Sequence, residues 1–253
     1  NNELTYAFVN DVISEVAEMF PGPWLHIGGD ECLSTPEADF LHFIERATAI
    51  VAAHGKTVIG WHEMGRSRAL PAGTIGQYWN LTTPLSVDGH GNPADHAAHV
   101  RSFTDQGGSI ILSPADVAYF DIKYTDDHPI GLMWPGKPTT LEDAFGWEPT
   151  EVVPGLDEGS ILGLEAPIFT ETIVDLDALR SMAFPLMAAL AELAWSPRPV
   201  AGAARDLDAF RERLVSLARR WDADGVRYER VPGVAWPSAE TAAGSQKDAR
   251  PAD

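Results

Sequence analysis

Asp30 and Glu31 are adjacent carboxylates set directly after an apolar stretch, in the run His26-Ile27-Gly28-Gly29-Asp30-Glu31. Two neighbouring acids repel when both are ionised, and apolar surroundings sharpen the repulsion, which can keep one proton on the pair. A carboxyl that keeps its proton near neutrality can act as a general acid. Further polar and aromatic groups close other apolar runs: Trp61 to Glu63, Trp79, Asp121 and Glu171. Carboxylates can accept hydrogen bonds from sugar hydroxyls, which must be satisfied once desolvated. Aromatic rings cover apolar faces of a ligand.

Competing chemistries fit less well. His62-Glu63 begins like the zinc-protease motif H-E-x-x-H, but Arg66 holds the second histidine position. His90, His96 and His99 fall in a loop and the start of a helix, and read as solvated side chains rather than metal ligands. The single cysteine, Cys32, has no evident base partner and reads as structural. No metal and no cofactor is expected.

The elements that must position these groups follow from periodicity and punctuation. Leu4, Phe8, Val12, Ile13, Val16 and Phe20 keep a helical spacing, which Phe20-Pro21-Gly22-Pro23 ends. Trp24 to Gly29 reads as a short buried strand. Thr35-Pro36 opens the next helix, with Thr35 as N-cap and Pro36 in the first helical position; Phe40, Phe43, Ile44 and Ala47 continue it, and Gly55 ends it. Further strands are expected at Lys56–Trp61, Thr74–Trp79, Ser109–Pro114 and Ser160–Phe169. Helices are expected at Asp95–Gln106, Asp177–Trp195 and Asp206–Asp222. A long Pro-, Gly- and Trp-containing loop is expected from about Tyr119 to Asp157, and a polar disordered tail from Pro237 to Asp253.

Strands alternating with helices or long loops imply a parallel sheet with crossover connections. Chemistry-bearing residues at the strand ends fit a (β/α)₈ TIM barrel, whose active sites sit at the C-terminal ends of the strands. No G-x-G-x-x-G or Walker-type loop supports an open doubly wound sheet. Only five strands are evident, against eight in a full barrel. Domain boundaries are expected as 1–222 for the barrel portion and 223–253 for an extension.

Bulk properties narrow the classes. The 253 residues carry a formal net charge of −19, which repels phosphate backbones and argues against nucleic-acid binding. No apolar run approaches the roughly 20 residues needed to span a bilayer. With one cysteine no intrachain disulfide can form. Cytosolic and disulfide-free secreted proteins both fit that count.

The motifs together resemble the family 20 glycoside hydrolases, the β-N-acetylhexosaminidases. His26 to Glu31 looks like the family signature. Gly60 to Glu63, Gln77 to Trp79, Tyr119 to Asp121, Gly131 to Trp134, Glu165 to Glu171 and Phe184 to Pro197 resemble its later motifs in the family's order. The match runs from Asn1 to about Pro197. The resemblance implies strands four to eight of a (β/α)₈ barrel, with the N-terminal half of the barrel required. In the family that half supplies an arginine that binds the sugar, plus an aspartate and a histidine that support the site. The 253-residue chain alone is therefore expected to show little or no activity, since an incomplete barrel leaves unpaired edges.

By the same resemblance, Glu31 is the general acid and then base, and Asp30 orients the substrate's 2-acetamido group, which serves as nucleophile. That substrate assistance departs from the usual carboxylate pair. Tyr119 would hydrogen-bond the acetamido oxygen. Trp61 and Trp79 would wall the acetamido methyl. Asp121 and Glu171 would bind sugar hydroxyls, and Trp134 would lie near the aglycone. Phe169 stands where the family usually has tryptophan, which bears on affinity. The implied partners are N-acetylhexosamine-containing oligosaccharides or glycoconjugates, chitin oligomers among them, and secretion follows from that substrate class. Two alternatives remain: a retaining glycosidase with Glu171 as covalent nucleophile, and a non-catalytic or truncated sugar-binding remnant.

Overall fold

The structure is a computed structural model and describes residues 2–200 and 203–238. Among these residues the chain runs α1 (Glu3–Met19), β1 (Trp24–His26), α2 (Glu37–Ala53), β2 (Thr57–Trp61), β3 (Ile75–Tyr78), α3 (His96–Asp105), β4 (Ser109–Leu112), α4 (Ala115–Ala118), α5 (Leu141–Gly146), α6 (Pro149–Val152), β5 (Ile161–Leu164), α7 (Leu176–Ala183), α8 (Leu186–Trp195) and α9 (Leu207–Ala223). Short 3₁₀ turns occupy His62–Arg66 and Glu158–Ser160. The polar tail lies outside the described residues from 239 onward.

Two compact units divide the chain. The first is Asn1–Pro114 with Glu148–Glu165; the second is Ala115–Trp147 with the described residues from Ala166 on. The first unit holds one five-stranded sheet in the order β1-β2-β3-β4-β5. Every neighbouring pair is parallel, with Leu25 opposite Val58, Gly76 opposite Gly60 and Ile110, and Leu112 opposite Leu164. Sequential parallel order without a reversal is that of a (β/α)₈ barrel sheet, whereas a doubly wound sheet reverses at a switch point. The fold class is therefore the one expected, and five strands are present where five were expected.

The core of this unit lies where α2 and α3 cover the sheet. Phe40, Ile44, Val51, Val58, Val100, Phe103, Ile110 and Leu112 are all buried. Burying each contributes about 1.5–3 kcal/mol. Close approach of α3 depends on Gly76: a Cβ there would stand 2.7 Å from the Phe103 ring. The α3 boundaries match the expected ones closely. Asp95 caps the helix by accepting from Ala98 N–H at 2.8 Å, and Gly107 follows the C-cap in the left-handed region.

The second unit is helical. α5 packs on α8 and α9, and Phe145 stacks on Phe210 with ring centroids 4.5 Å apart. Tyr124 is buried, with its hydroxyl 2.8 Å from the Met182 carbonyl at the end of α7.

Several expectations are corrected. Thr35 is not the cap of α2; Pro36 takes that position and makes no side-chain cap bond. The loop from Tyr119 to Asp157 contains α5 and α6. α5 starts at a capping box in which Thr140 and Asp143 satisfy each other's backbone N–H. The single helix expected at Asp177–Trp195 is two, because Pro185 lacks an N–H and forces Phe184 into extended backbone. β5 ends at Leu164, short of Phe169. β1 is not buried: Trp24 is 57% exposed, since β1 is an edge of the sheet and pairs only with β2. In α1 the stripe Leu4, Phe8 and Val12 faces solvent, and Tyr6 is the buried contact, packed on His42 and Phe43 of α2.

Candidate active site

Asp30 and Glu31 stand in the loop that leaves the C-terminal end of β1. The ladder runs past the strand, with Ile27 N–H donating to Ile59 and Trp61 N–H donating to Gly28, at 3.0 and 2.9 Å. The chain then turns through Gly28 and Gly29, at φ of 76° and 101°. Only glycine reaches such angles at little cost. The packing here also needs the missing side chains of Gly29 and Gly60. A Cβ on Gly29 would meet Met64 Cγ at 2.4 Å, and one on Gly60 would meet Met64 Sδ at 1.9 Å. Met64 is fully buried in that notch.

Glu31 itself has φ of 45°, the one described non-glycine residue with positive φ. That conformation costs a side-chain-bearing residue about 1–2 kcal/mol. Such strain persists where the surroundings impose it, and it clusters at functional sites. Both carboxylates are exposed. A Cβ on Gly89, in the loop before α3, would lie 3.4 Å from Glu31 Oε1, so that loop approaches the carboxylate closely. Cys32, expected to be structural, is exposed beside them.

Trp61 closes β2 and packs edge-on against His26, with ring centroids 4.9 Å apart. Burial holds the His26 imidazole below its ordinary range, opposed by the charges of Glu165 and Asp30 and by a hydrogen bond with Gln77. Gln77 is buried in β3 and donates to Ser113 Oγ and Glu165 Oε1 at 2.9 and 2.8 Å.

Glu63, a strand-end carboxylate assigned no role from the sequence, has unusual surroundings. It sits in the 3₁₀ turn after β2, and Trp79 Nε1 donates to both of its carboxylate oxygens at 3.0 Å. Burial pushes its carboxyl up to about 7; the hydrogen bonds to its own backbone and Trp79 oppose this, and the charges of Asp30 and Glu31 add to it. His62, wholly buried, bonds His96 through Nε2 at 2.8 Å. His96 bonds the Val87 carbonyl at 3.1 Å. His96 is therefore a buried partner, and the solvated reading fails for it. Its partner lies 34 positions away in sequence, so no local pattern signals the pair. His90 is exposed, as expected. Burial, with His96 and Arg66 nearby, lowers His99 to about 4.

The second unit groups the remaining residues. Tyr119 packs against Trp134 and Phe169, at centroid distances of 5.8 and 5.5 Å. Trp134 and Phe169 are about half exposed. Asp121 is almost wholly buried, and neither of its carboxylate oxygens closes a hydrogen bond. Burial pushes its carboxyl up to about 6, opposed by backbone groups at Asp121 and Phe169 and reinforced by the Glu171 charge. Buried polar atoms are normally satisfied, so two acceptors without donors make this carboxylate an exception in its unit. Glu171 is exposed nearby.

Among the described residues no cluster of three or more His, Cys, Asp or Glu is arranged to hold a metal ion, and no helix is long and apolar enough to cross a membrane.

Comparison with known proteins gives a consistent picture. Residues 1–198 match the family model described as the glycosyl hydrolase family 20 catalytic domain. A β-N-acetylhexosaminidase of Cellulomonas fimi is 37% identical over 241 residues, covering 95% of this chain and 45% of that protein. The solved structure of the GH20 β-N-acetylhexosaminidase from Streptomyces coelicolor A3(2) is 41% identical, with a TM-score of 0.82 over 94% of this chain and 45% of that one. The N-acetyl-β-hexosaminidase of Streptomyces plicatus, solved with thio-NAglucal, is 42% identical, with the same TM-score and coverage. The chain thus spans about half the length of the relatives it matches.

Proposed function

From the premise that the chain belongs to glycosyl hydrolase family 20, we propose that it carries the catalytic acid and charge-stabilising carboxylate of an exo-β-N-acetylhexosaminidase. The substrate is a terminal β-linked N-acetylhexosamine of an oligosaccharide or glycoconjugate. The 2-acetamido oxygen attacks the anomeric carbon while Glu31 protonates the departing glycosidic oxygen. Asp30 accepts from the acetamido N–H and balances the charge of the cyclic oxazolinium. Glu31, now a carboxylate, takes a proton from water as the water opens that ring, and the two displacements give retention. Trp61 and Trp79 wall the acetamido methyl, Tyr119 donates to the acetamido oxygen, and Trp134 and Phe169 contact the sugar or aglycone. Asp121 and Glu171 take hydroxyl donors.

The observation that carries this reading is the Asp30–Glu31 pair at the C-terminal end of a parallel strand, on a turn where Glu31 is held in left-handed backbone. Asp121, buried with neither oxygen paired, would gain a donor if a sugar hydroxyl reached it.

Hydrolysis of a chromogenic 2-acetamido glucoside against its 2-hydroxy counterpart tests the mechanism, using the protein as its gene encodes it. Preference for the 2-acetamido substrate by several orders of magnitude is expected. Equal rates would sink substrate assistance and favour a covalent enzyme nucleophile.

A further inference from the structure

The hydrogens around Glu63 can be placed by following one chain of acceptors. The Val87 carbonyl only accepts, so His96 carries its proton on Nε2. With its proton on Nε2, His96 accepts at Nδ1, and His62 Nε2, 2.8 Å away, is the donor. His62 is left with a lone pair on Nδ1. That atom is buried, makes no hydrogen bond, and faces Glu63 Oε2 at 3.4 Å. Two bare acceptors facing each other in a buried site repel; one proton between them removes the conflict. On its other side the same carboxyl receives Trp79 Nε1.

We propose that Glu63 is a positioning residue for Trp79, and that a single proton held between Glu63 Oε2 and His62 Nδ1 keeps its carboxyl in place. The inference rests on the reading of Trp79 as a wall of the acetamido pocket. Where the substrate's own acetamido oxygen is the nucleophile, the tilt of that wall sets the angle of attack. Displacement by 1 Å can cost about 10²-fold in rate.

The charges that face the pair agree with one shared proton. Asp30 and Glu31, from the loop after β1, favour the protonated form of Glu63. Burial above all disfavours the charged form of His62, as would any charge on His96 or His99 of α3, while the Gln77 backbone on β3 acts the other way. Arg66, Arg68 and Asp95 act one step further out, on His99. The proton therefore belongs to the carboxyl side of the pair, with neutral His62 accepting.

Two variants separate this arrangement from a merely structural one. In Glu63→Gln the amide oxygen accepts from Trp79 and the amide nitrogen donates to His62 Nδ1, reproducing the protonated carboxyl. Glu63→Leu keeps the volume and makes neither bond. The first readout is the ¹H–¹⁵N signal of the Trp79 indole and of the His62 ring between pH 5 and 9. The wild-type indole signal is expected to titrate with a midpoint of about 7, and the Gln variant is expected to be flat. The second readout is turnover of a chromogenic N-acetylglucosaminide by the protein as its gene encodes it. At pH 6 the Gln variant is expected within about threefold of wild type, and the Leu variant to lose about 10²-fold, mostly in kcat. A Gln variant as impaired as the Leu variant overturns the proposal, as does an indole titration that survives the Gln change, or a His62 ring protonated on Nδ1 at pH 6. If wild type turns over no N-acetylglucosaminide, the reading of the function fails, while the indole titration still decides where the proton sits. If the Leu variant does not fold, the Gln variant and its titration decide alone.

Discussion

The indole nitrogen of Trp79 lies 3.0 Å from each carboxylate oxygen of Glu63, so one donor is shared between both arms of a nearly buried acid. The link joins the end of β3 to the turn after β2.

Glu63 makes stability depend on pH. Its folded carboxyl titrates at about 7, above the ordinary value of 4.5. The folded state therefore binds the proton more tightly, and its contribution is complete below about 4.5 and is lost as pH rises towards 7. The difference is on the order of 3 kcal/mol. His99, lowered to about 4, slopes the opposite way, so the comparison must be with Glu63→Gln. Urea midpoints at pH 4.5 and 7.5 should show wild type losing stability relative to Glu63→Gln across that interval. Parallel curves for the two proteins would refute the assignment.

Glu31→Gln should lower kcat on an alkyl N-acetylglucosaminide by about 10²–10⁴-fold, the usual contribution of a positioned acid. Asp30→Asn should cost about 10²–10³-fold by removing the charge opposite the developing oxazolinium. Steady-state kinetics on purified, folded variants checks both. A Glu31→Gln variant that keeps a tenth of wild-type kcat would remove Glu31 from the acid role.

Glu31 also predicts a trade between stability and activity. Asparagine tolerates left-handed backbone better than glutamate does, so Glu31→Asn should stabilise the fold by about 1 kcal/mol while abolishing turnover. Glu31→Gln keeps the side-chain length and should leave stability nearly unchanged. Thermal melts of the three proteins decide it; a destabilised Asn variant would mean that the φ of 45° carries no strain.

Phe169 packs 5.5 Å from Tyr119 and is 42% exposed. Phe169→Trp should offer a larger face to the sugar and lower KM by about two- to tenfold, the range expected of an added aromatic contact. Its effect on kcat should be small. An unchanged KM would place Phe169 outside the sugar's reach.

Features with local signals were readable from the sequence. α3 and α9 are bounded by Asp95 and Asp206, whose side chains accept from the third residue of each helix, and both were drawn within a residue or two. The parallel strands were legible because each is a short apolar run closed by glycine, proline or an aromatic. α5 and α6 were not, since helices of six and four residues are too short to show a period. The break at Pro185 was passed over because apolar spacing continues on both sides of it. Two further misses share a cause. The exposure of Trp24 depends on which strand lies beside β1, and the burial of His96 depends on His62, far along the chain. Neither relation is local, so neither leaves a pattern. The same holds for Glu63, whose meaning comes from Trp79, 16 positions away.

The Met64 notch has a consequence for how this lineage could have changed. The thioether occupies space that a methyl group on either Gly29 or Gly60 would need. Neither glycine can mutate first, since each intermediate drives a side chain into a packed interior. Shrinking position 64 opens the path at Gly60, whereas at Gly29 the φ of 101° still strains any side chain. Positions 60 and 64 should therefore covary among relatives, while 29 should stay glycine. Any homologue with alanine at 60 should carry a residue smaller than methionine at 64, and reverting that residue alone should be poorly tolerated.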